Sequence, residues 1–119
     1  MPEPFGLHVL YDLYDCDPAL LDRLDRLRAL LHEAVRSVDM VALEACAHQY
    51  QPQGVSVVLL VAESHMAIHT WPESGYAAVD FFSCRTDVDP LTVRAVFERA
   101  LTPGRIEMQR IDRGRRPSG

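Results

Sequence analysis

Apolar and polar residues alternate at the start of the chain and then change to a helical spacing. Residues 6–16 (GLHVLYDLYDC) alternate and are rich in leucine, valine and tyrosine, which predicts a strand. Leucines then recur every three or four residues, with aspartates and arginines between them. This spacing predicts an amphipathic helix over roughly residues 18–37, with Asp17 as its cap, Pro18 at its first position and its leucine stripe facing the core.

The middle of the chain is rich in apolar and strand-forming residues. Residues 40–50 predict a second strand, followed by the turn QPQG. Residues 55–64 (VSVVLLVAES) form a nearly continuous apolar run, which predicts a strand buried on both faces. Residues 65–71 are expected to continue as another strand up to PESG, and residues 76–84 as a further one.

A second helical pattern opens at Asp89-Pro90 and stops at Pro103-Gly104, before the alternating segment RIEMQRI. The order strand, helix, several strands, helix, strand predicts one α+β domain over residues 1–119. Its two helices are expected to pack on one face of a mainly antiparallel sheet, as an α/β sandwich. The face of the sheet without helices must either contact solvent or pack against another element, and a second copy of the chain is one such element.

Charge and cysteine content restrict the partners and the compartment. The formal net charge of −5 disfavours nucleic acid and anionic membranes, since both favour a basic protein face. No signal-peptide pattern follows Met1, and no apolar stretch approaches the ~20 residues that span a bilayer. The three cysteines lack a metal-binding spacing, so we expect a reduced, cytoplasmic protein with free thiols.

Reactive side chains concentrate in residues 63–84 (ESHMAIHTWPESGYAAVDFFSC). His65 and His69 have the four-residue spacing of helical zinc pairs, but the segment favours a strand and lacks the intervening glutamate. We therefore expect no metal. A Cys84–His69 nucleophile pair is one alternative, and polar residues satisfied at the end of a sheet are another.

A third alternative is self-cleavage at Ser64. A serine at such a place can attack the carbonyl of the preceding Glu63 and turn the peptide into an ester. Elimination of the ester and hydrolysis of the resulting dehydroalanine leave a pyruvoyl group, which is an electron sink. All twelve Lys and Arg residues are arginines, so the chain cannot hold pyridoxal phosphate through a lysine, and a pyruvoyl group needs none.

The segment resembles the signature of the short prokaryotic S-adenosylmethionine decarboxylases, which are pyruvoyl enzymes of spermidine biosynthesis. The resemblance extends upstream through HQYQPQGVS and the first strand, and downstream through DVDP and RIEMQRIDRG, so it covers nearly the whole chain. It implies a small-molecule substrate, S-adenosylmethionine. It also implies a homodimer of processed protomers whose active sites lie at or near their interface.

The resemblance implies that the chain cuts itself between Glu63 and Ser64. The products are a β chain, residues 1–63, and an α chain, residues 64–119, which begins with the pyruvoyl group made from Ser64. In the family this group forms a Schiff base with the substrate amine and accepts the electrons left when carbon dioxide departs.

Roles for other residues follow from the same resemblance. His69 is the base for the serine α-proton during processing, Ser56 steadies the processing intermediate, and Cys84 is the general acid that protonates the product. The substrate-binding candidates are Tyr50 and Trp71, whose rings suit adenine or the sulfonium, and Glu73, which suits the ribose hydroxyls.

Several positions depart from the pattern of the family. They are expected to cluster around the substrate pocket and comprise Leu7, Tyr11, Ala47, Tyr50 and Val57. These departures keep L-ornithine or L-arginine open as alternative substrates for the same pyruvoyl chemistry. An uncut, non-catalytic relic is less favoured, because the reactive residues of the segment are intact.

Overall fold

The computed structural model describes residues 3–117 and contains six strands and two α-helices in the expected order. The elements are β1 (Gly6–Tyr14), a 3-10 turn (Pro18–Leu21), α1 (Leu24–Arg36), β2 (Ala42–Gln49), β3 (Val55–Val61), β4 (Ser64–Trp71), a second 3-10 turn (Pro72–Ser74), β5 (Tyr76–Ser83), α2 (Pro90–Leu101) and β6 (Arg105–Arg113). Neither helix in this part of the chain has the length and hydropathy needed to cross a bilayer.

The six strands form one sheet in the order β2-β3-β4-β5-β1-β6, with every neighbouring pair antiparallel. Both helices cover the same side of the sheet, here called the helix face, so the predicted α+β class and layer arrangement are confirmed. Helix α1 buries Leu27, Leu30 and Leu31 against core residues of the strands such as Leu59 and Ile68. The opposite side, the open face, carries the alternate side chains of each strand.

The first predicted helix is divided in two, which corrects the expected range of residues 18–37. Asp17 caps the 3-10 turn by accepting a hydrogen bond from the Ala19 amide at 3.0 Å. The Asp22 carboxylate accepts bonds from the Gly54 amide at 2.8 Å and from Gln49 Nε2 at 2.9 Å. These partners lie on the β2–β3 hairpin. Because its side chain is hydrogen-bonded to the hairpin, Asp22 does not continue the helix, and α1 begins only at Leu24.

The prediction that β3 is buried on both faces is wrong. Its side chains alternate between full burial and exposure, and Val58 and Leu60 are 43% and 51% exposed on the open face. The helices cover only one side of the sheet, so the apolar run has a solvent-facing half within a single chain. Exposed apolar residues on a central strand indicate a surface that another element or chain covers.

Thr70 is a buried polar residue that fixes the first 3-10 turn, just before α1, against the sheet. Its hydroxyl donates to the Leu21 carbonyl at 2.7 Å and accepts from the Val55 amide at 2.9 Å. The side chain therefore joins β4, β3 and the first 3-10 turn on the helix face.

We predict that Thr70→Val lowers the free energy of unfolding by about 1–3 kcal/mol, because both buried partners lose their hydrogen bonds while the volume is conserved. Urea unfolding in a Ser64→Ala background, chosen to keep the chain whole, measures the change. Thr70→Ser is the matched control, since it keeps the hydroxyl. Equal stability of the Val variant and the parent would show that these two bonds do not matter.

Candidate active site

Ser64 lies at the start of β4, which corrects the expectation that it ends the preceding strand. Val61 pairs with Ser64 across a tight turn formed by Ala62 and Glu63. Glu63 adopts a positive φ of 62°. For a residue with a Cβ this conformation costs about 1–2 kcal/mol, so the peptide bond before Ser64 follows a strained residue.

The side chain of Ser64 is buried on the helix face. Its hydroxyl contacts Met40 Sδ at 3.8 Å. A thioether sulfur is only a weak hydrogen-bond acceptor. This contact therefore leaves the hydroxyl oxygen of Ser64 free to act as a nucleophile toward the adjacent carbonyl.

Cys84 lies at the same end of the sheet as Ser64. Ser64 pairs with Ser83, the last residue of β5, and Cys84 follows it with an exposed side chain. The Ser83 hydroxyl donates to the Arg85 carbonyl at 2.9 Å and accepts from the Arg85 amide at 3.0 Å. These two bonds hold the backbone on both sides of Cys84, so the thiol has a fixed starting position next to the Ser64 strand pair.

A second group of predicted residues meets at the opposite end of β4. Ser56 and His69 are cross-strand partners on the open face, and Ser56 Oγ lies 2.8 Å from His69 Nδ1. The Tyr50 hydroxyl donates to Ser56 Oγ at 3.1 Å. Ser56 Oγ accepts from Tyr50 and has one proton of its own, which we assign to the bond with His69 Nδ1. The three side chains form a hydrogen-bonded chain that sequence patterns did not reveal.

A cavity of about 300 Å³ opens beside this chain. It unites all five residues predicted at this end, and its lining comprises Tyr50, Gln53, Gly54, Ser56, His69, Thr70, Trp71 and Glu73. A larger groove of about 450 Å³ lies between α1 and α2, but its lining contains none of the predicted site residues. The smaller cavity, with aromatic walls and a few polar groups, has the character of a small-molecule site.

Stacked aromatic rings continue from the cavity across the open face. Trp71 stacks on Tyr76 with centroids 5.2 Å apart, Tyr76 stacks on Tyr14 at 5.4 Å, and the Arg105 guanidinium lies 4.1 Å above Tyr14. The Tyr76 hydroxyl donates to the Asp12 carboxylate. Burial, and to a smaller extent this hydrogen bond, raises the pKa of Tyr76. Tyr14 and Asp12 were not among the predicted site residues, although their alternate positions in β1 put them on one face.

The two groups are separated within one chain. Ser64 and His69 are five residues apart on β4, which corresponds to about 16 Å along a strand. Their side chains also point to opposite faces, since Ser64 contacts Met40 beneath the helices while His69 contacts Ser56 on the open face. A single protomer therefore does not bring the predicted base to the predicted cleavage serine.

Three of the departures expected around the substrate pocket lie in the core instead. Leu7, Tyr11 and Val57 are almost completely buried on the helix face. Tyr11 donates from its hydroxyl to the Pro90 carbonyl at 2.8 Å, which fixes the start of α2. Ala47 packs partly buried against the same core, and only Tyr50 of the five lines the cavity. The expected clustering is wrong, because alternation in β1, β2 and β3 directs these side chains inward.

Comparisons with known proteins agree with this architecture. The model of the S-adenosylmethionine decarboxylase family matches residues 7–114. A Thermosipho africanus protein named S-adenosylmethionine decarboxylase proenzyme is 36% identical over 110 residues, which cover 92% of this chain and 85% of that protein. A protein of the same name from Parasynechococcus marenigrum is 46% identical over 96 residues, or 81% of this chain and 75% of that one.

A solved structure extends the agreement to the fold. The crystal structure of the adenosylmethionine decarboxylase from Aquifex aeolicus superposes with a TM-score of 0.87 at 36% identity, covering 98% of this chain and 97% of that chain. With the family model matching most of the sequence, the chain belongs to the S-adenosylmethionine decarboxylase family.

The hydrogen-bonded chain predicts one tautomer of His69. Neutral His69 should carry its proton on Nε2, because Nδ1 accepts from Ser56. Long-range proton–nitrogen NMR correlations distinguish the two tautomers. We expect Tyr50→Phe to weaken the preference and Ser56→Ala to abolish it, whereas the exposed His48 should not change with Ser56→Ala. A proton found on Nδ1 of neutral His69 would contradict the assigned direction of the bond.

Proposed function

We propose that this protein is a pyruvoyl-dependent S-adenosylmethionine decarboxylase that makes its prosthetic group by cutting itself between Glu63 and Ser64. Cleavage gives a β chain of residues 1–63 and an α chain of residues 64–119. The product, decarboxylated S-adenosylmethionine, feeds spermidine biosynthesis. The observation that carries the proposal is a buried serine directly after a strained glutamate, in a chain that belongs to a decarboxylase family whose members are named proenzymes.

Self-cleavage uses groups already present at the turn. The Ser64 hydroxyl oxygen bonds to the Glu63 carbonyl carbon and the peptide C–N bond breaks, which leaves an ester and a free amine. A base then removes the Ser64 α-proton, the ester C–O bond breaks, and Glu63 leaves as a carboxylate. Water converts the dehydroalanine to the pyruvoyl group and releases ammonia. The positive φ of Glu63 favours the first step, because strain in the substrate is lost when the turn opens.

The position of Ser64 fits the pyruvoyl group. In the uncut chain Ser64 is buried on the helix face beside Met40, which keeps water from the reacting turn. Because formation of the ester breaks the peptide bond, residue 64 then becomes a chain end that can turn toward the open face, where the partner's base and the substrate would lie. When present, the pyruvoyl group withdraws electrons from the bond to the substrate carboxylate. Cys84 follows the strand partner of Ser64, and we assign it the transfer of a proton to the product carbon.

The processing base comes from a second copy of the chain. His69 and Ser56 lie about 16 Å from Ser64 of the same protomer, at the other end of β4. In a two-fold dimer of open faces, each protomer makes the same contacts with its partner. If the two β4 strands run antiparallel across this interface, the His69 end of one strand lies opposite the Ser64 end of the other. The exposed Val58 and Leu60 supply apolar contact area for this homodimer, at about 1.5–3 kcal/mol per fully buried side chain.

The cavity beside His69 holds the substrate. Tyr50 and Trp71 offer aromatic faces to adenine or the sulfonium, and a cation over an aromatic ring gains about 0.5–2 kcal/mol. Glu73 lines the same cavity from the Pro72–Ser74 turn, where its carboxylate suits the two ribose hydroxyls. In the proposed dimer, one protomer binds the nucleoside while the other supplies the pyruvoyl group.

The cysteines support a reducing, cytoplasmic location. Cys16, Cys46 and Cys84 are all free thiols. Burial, with a contribution from the nearby Asp15, raises the pKa of Cys16 to about 11, which makes it unreactive. Cys84 is exposed, and a reducing environment keeps it out of disulfides, as the assigned acid role requires.

S-adenosylmethionine is favoured over L-ornithine or L-arginine as the substrate. The relatives described above are named S-adenosylmethionine decarboxylase proenzymes. The sequence departures that kept the amino acids open lie mostly in the core, so they do not reshape the cavity. A non-catalytic relic is disfavoured as well, because Ser56, Ser64, His69 and Cys84 are all present in the sequence.

We predict release of carbon dioxide from carboxyl-labelled S-adenosylmethionine and none above background from L-ornithine or L-arginine. The purified protein should run as two fragments on a denaturing gel. Ser64→Ala should remain a single chain without activity, since no oxygen remains to attack Glu63. Cys84→Ala, the matched control, should be cleaved but should decarboxylate poorly, because only the second reaction needs the acid.

Each result separates the steps of the proposal. Cleavage of the Ser64→Ala chain would overturn the self-processing mechanism. Release from an amino acid alone would keep the pyruvoyl chemistry and overturn the substrate. Full activity of Cys84→Ala would remove that residue from the acid role.

A further inference from the structure

A second group of potential ligands lies on the open face, away from the Ser56–His69 pair. His8 on β1, His65 on β4 and Asp80 on β5 converge, with one donor atom from each within 4.8 Å of the others. Asp80 Oδ1 lies 3.3 Å from His65 Nε2 and 3.5 Å from His8 Nε2. The Phe82 ring packs against both imidazoles, with centroids 5.6 Å from His8 and 5.9 Å from His65. Three adjacent strands therefore present two imidazoles and one carboxylate to a common point.

The spacing of these donors matches a metal site better than a set of hydrogen bonds. Zinc–nitrogen and zinc–oxygen bonds of about 2.0–2.1 Å at tetrahedral angles place neighbouring donors roughly 3.3–3.4 Å apart. The two donor separations from Asp80 lie at or near this value and are long for hydrogen bonds, and the two imidazole donors lie within 4.8 Å of each other. Among residues 3–117, His8 Nε2 is a buried side-chain nitrogen without a hydrogen-bond partner. A buried ligand atom without a hydrogen-bond partner, 3.5 Å from a carboxylate oxygen and within 4.8 Å of a second imidazole nitrogen, is suited to an ion that all three share.

We propose that His8, His65 and Asp80 bind a divalent cation of the borderline class, with Zn²⁺ as the representative. Two imidazoles and a carboxylate suit Zn²⁺ and similar transition metals, whereas Mg²⁺ and Ca²⁺ prefer oxygen ligands. Three protein ligands leave at least one coordination position for water or another group. In the single chain the side chains are 21%, 41% and 30% exposed in the order named, so the ion can enter from the open face before a second copy covers it.

The placement of the ligands gives the ion a structural role in the processed enzyme. This part of the inference depends on the proposed cleavage after Glu63. His8 would then belong to the β chain, while His65 and Asp80 belong to the α chain. The ion would link the two chains directly beside the new end of the α chain, because His65 follows Ser64. Zn²⁺ is therefore expected to raise the unfolding temperature of the processed protein.

Arg113 competes with the ion for His8. Its Nη1 lies 3.2 Å from His8 Nδ1. An imidazole bound to a metal through Nε2 carries its proton on Nδ1. That proton needs a hydrogen-bond acceptor, and a guanidinium has only donors. Arg113 must move when the ion binds. Arg113→Gln, which can supply an amide oxygen to Nδ1, should bind the ion more tightly than the parent.

The test uses the Ser64→Ala chain, so that metal binding is measured independently of cleavage and activity. Calorimetry with Zn²⁺ and visible absorption with Co²⁺ report the stoichiometry and the ligand field. We expect one site per chain, weakened at least about tenfold in His65→Ala and in the near-isosteric Asp80→Asn. His32→Ala on α1 and Cys84→Ala should bind like the parent. Circular dichroism confirms that each variant is folded.

The outcomes separate a metal site from a plain ion pair. No binding by the parent, or equal binding by folded His65→Ala and Asp80→Asn, would overturn the proposal. Loss of binding in Cys84→Ala alone would assign the metal to a thiol and would also overturn it. Weaker binding by Arg113→Gln would contradict competition by Arg113. None of these results depends on whether the chain cuts itself or decarboxylates a substrate.

Discussion

The geometry of a single strand, β4, constrains everything that this site can do. Successive side chains of a strand point to opposite faces, and each residue advances the strand by about 3.3 Å. Ser64 and His69 are five positions apart on β4, an odd offset, so they lie on opposite faces and toward opposite ends of the strand. Their separation follows from the sequence spacing and the straightness of the strand, and no rotamer change within one protomer removes it.

Different groups of residues surround the two ends of β4. At one end, the strained turn at Glu63 presents Ser64, and the Ser83–Arg85 turn holds Cys84 nearby. At the other end, the β3–β4 register pairs Ser56 with His69 beside the cavity of about 300 Å³. The helices cover one face and leave exposed apolar residues on the other. The proposed second copy over the open face would meet both needs at once, because it would bury this apolar surface and bring His69 of one protomer to Ser64 of the other.

Local patterns in the sequence predicted most of the fold. The errors share one physical origin, which is packing or hydrogen bonding between segments that are distant in sequence. Alternation and helical spacing located all six strands and both helices. The break before α1 was not predicted, because Asp22 bonds to residues of a hairpin that is distant in sequence. The burial of Leu7, Tyr11 and Val57 was also missed, since periodicity gives the alternation but not which face the helices cover. The reactive residues were recognised from a motif, whereas their division into two groups required the strand register.

The most direct test of a shared active site is complementation between two inactive chains. Ser64→Ala keeps His69 but has no nucleophile, and His69→Ala keeps Ser64 but has no base. Each variant alone should remain uncut. Co-expressed with distinguishable tags, they should form mixed dimers in which the His69→Ala chain, and only that chain, is cleaved, with an upper limit of about half of those chains for random pairing. If the His69→Ala chain stays intact in isolated mixed dimers, or is cleaved when expressed alone, the base is not supplied by the partner and the shared site is contradicted.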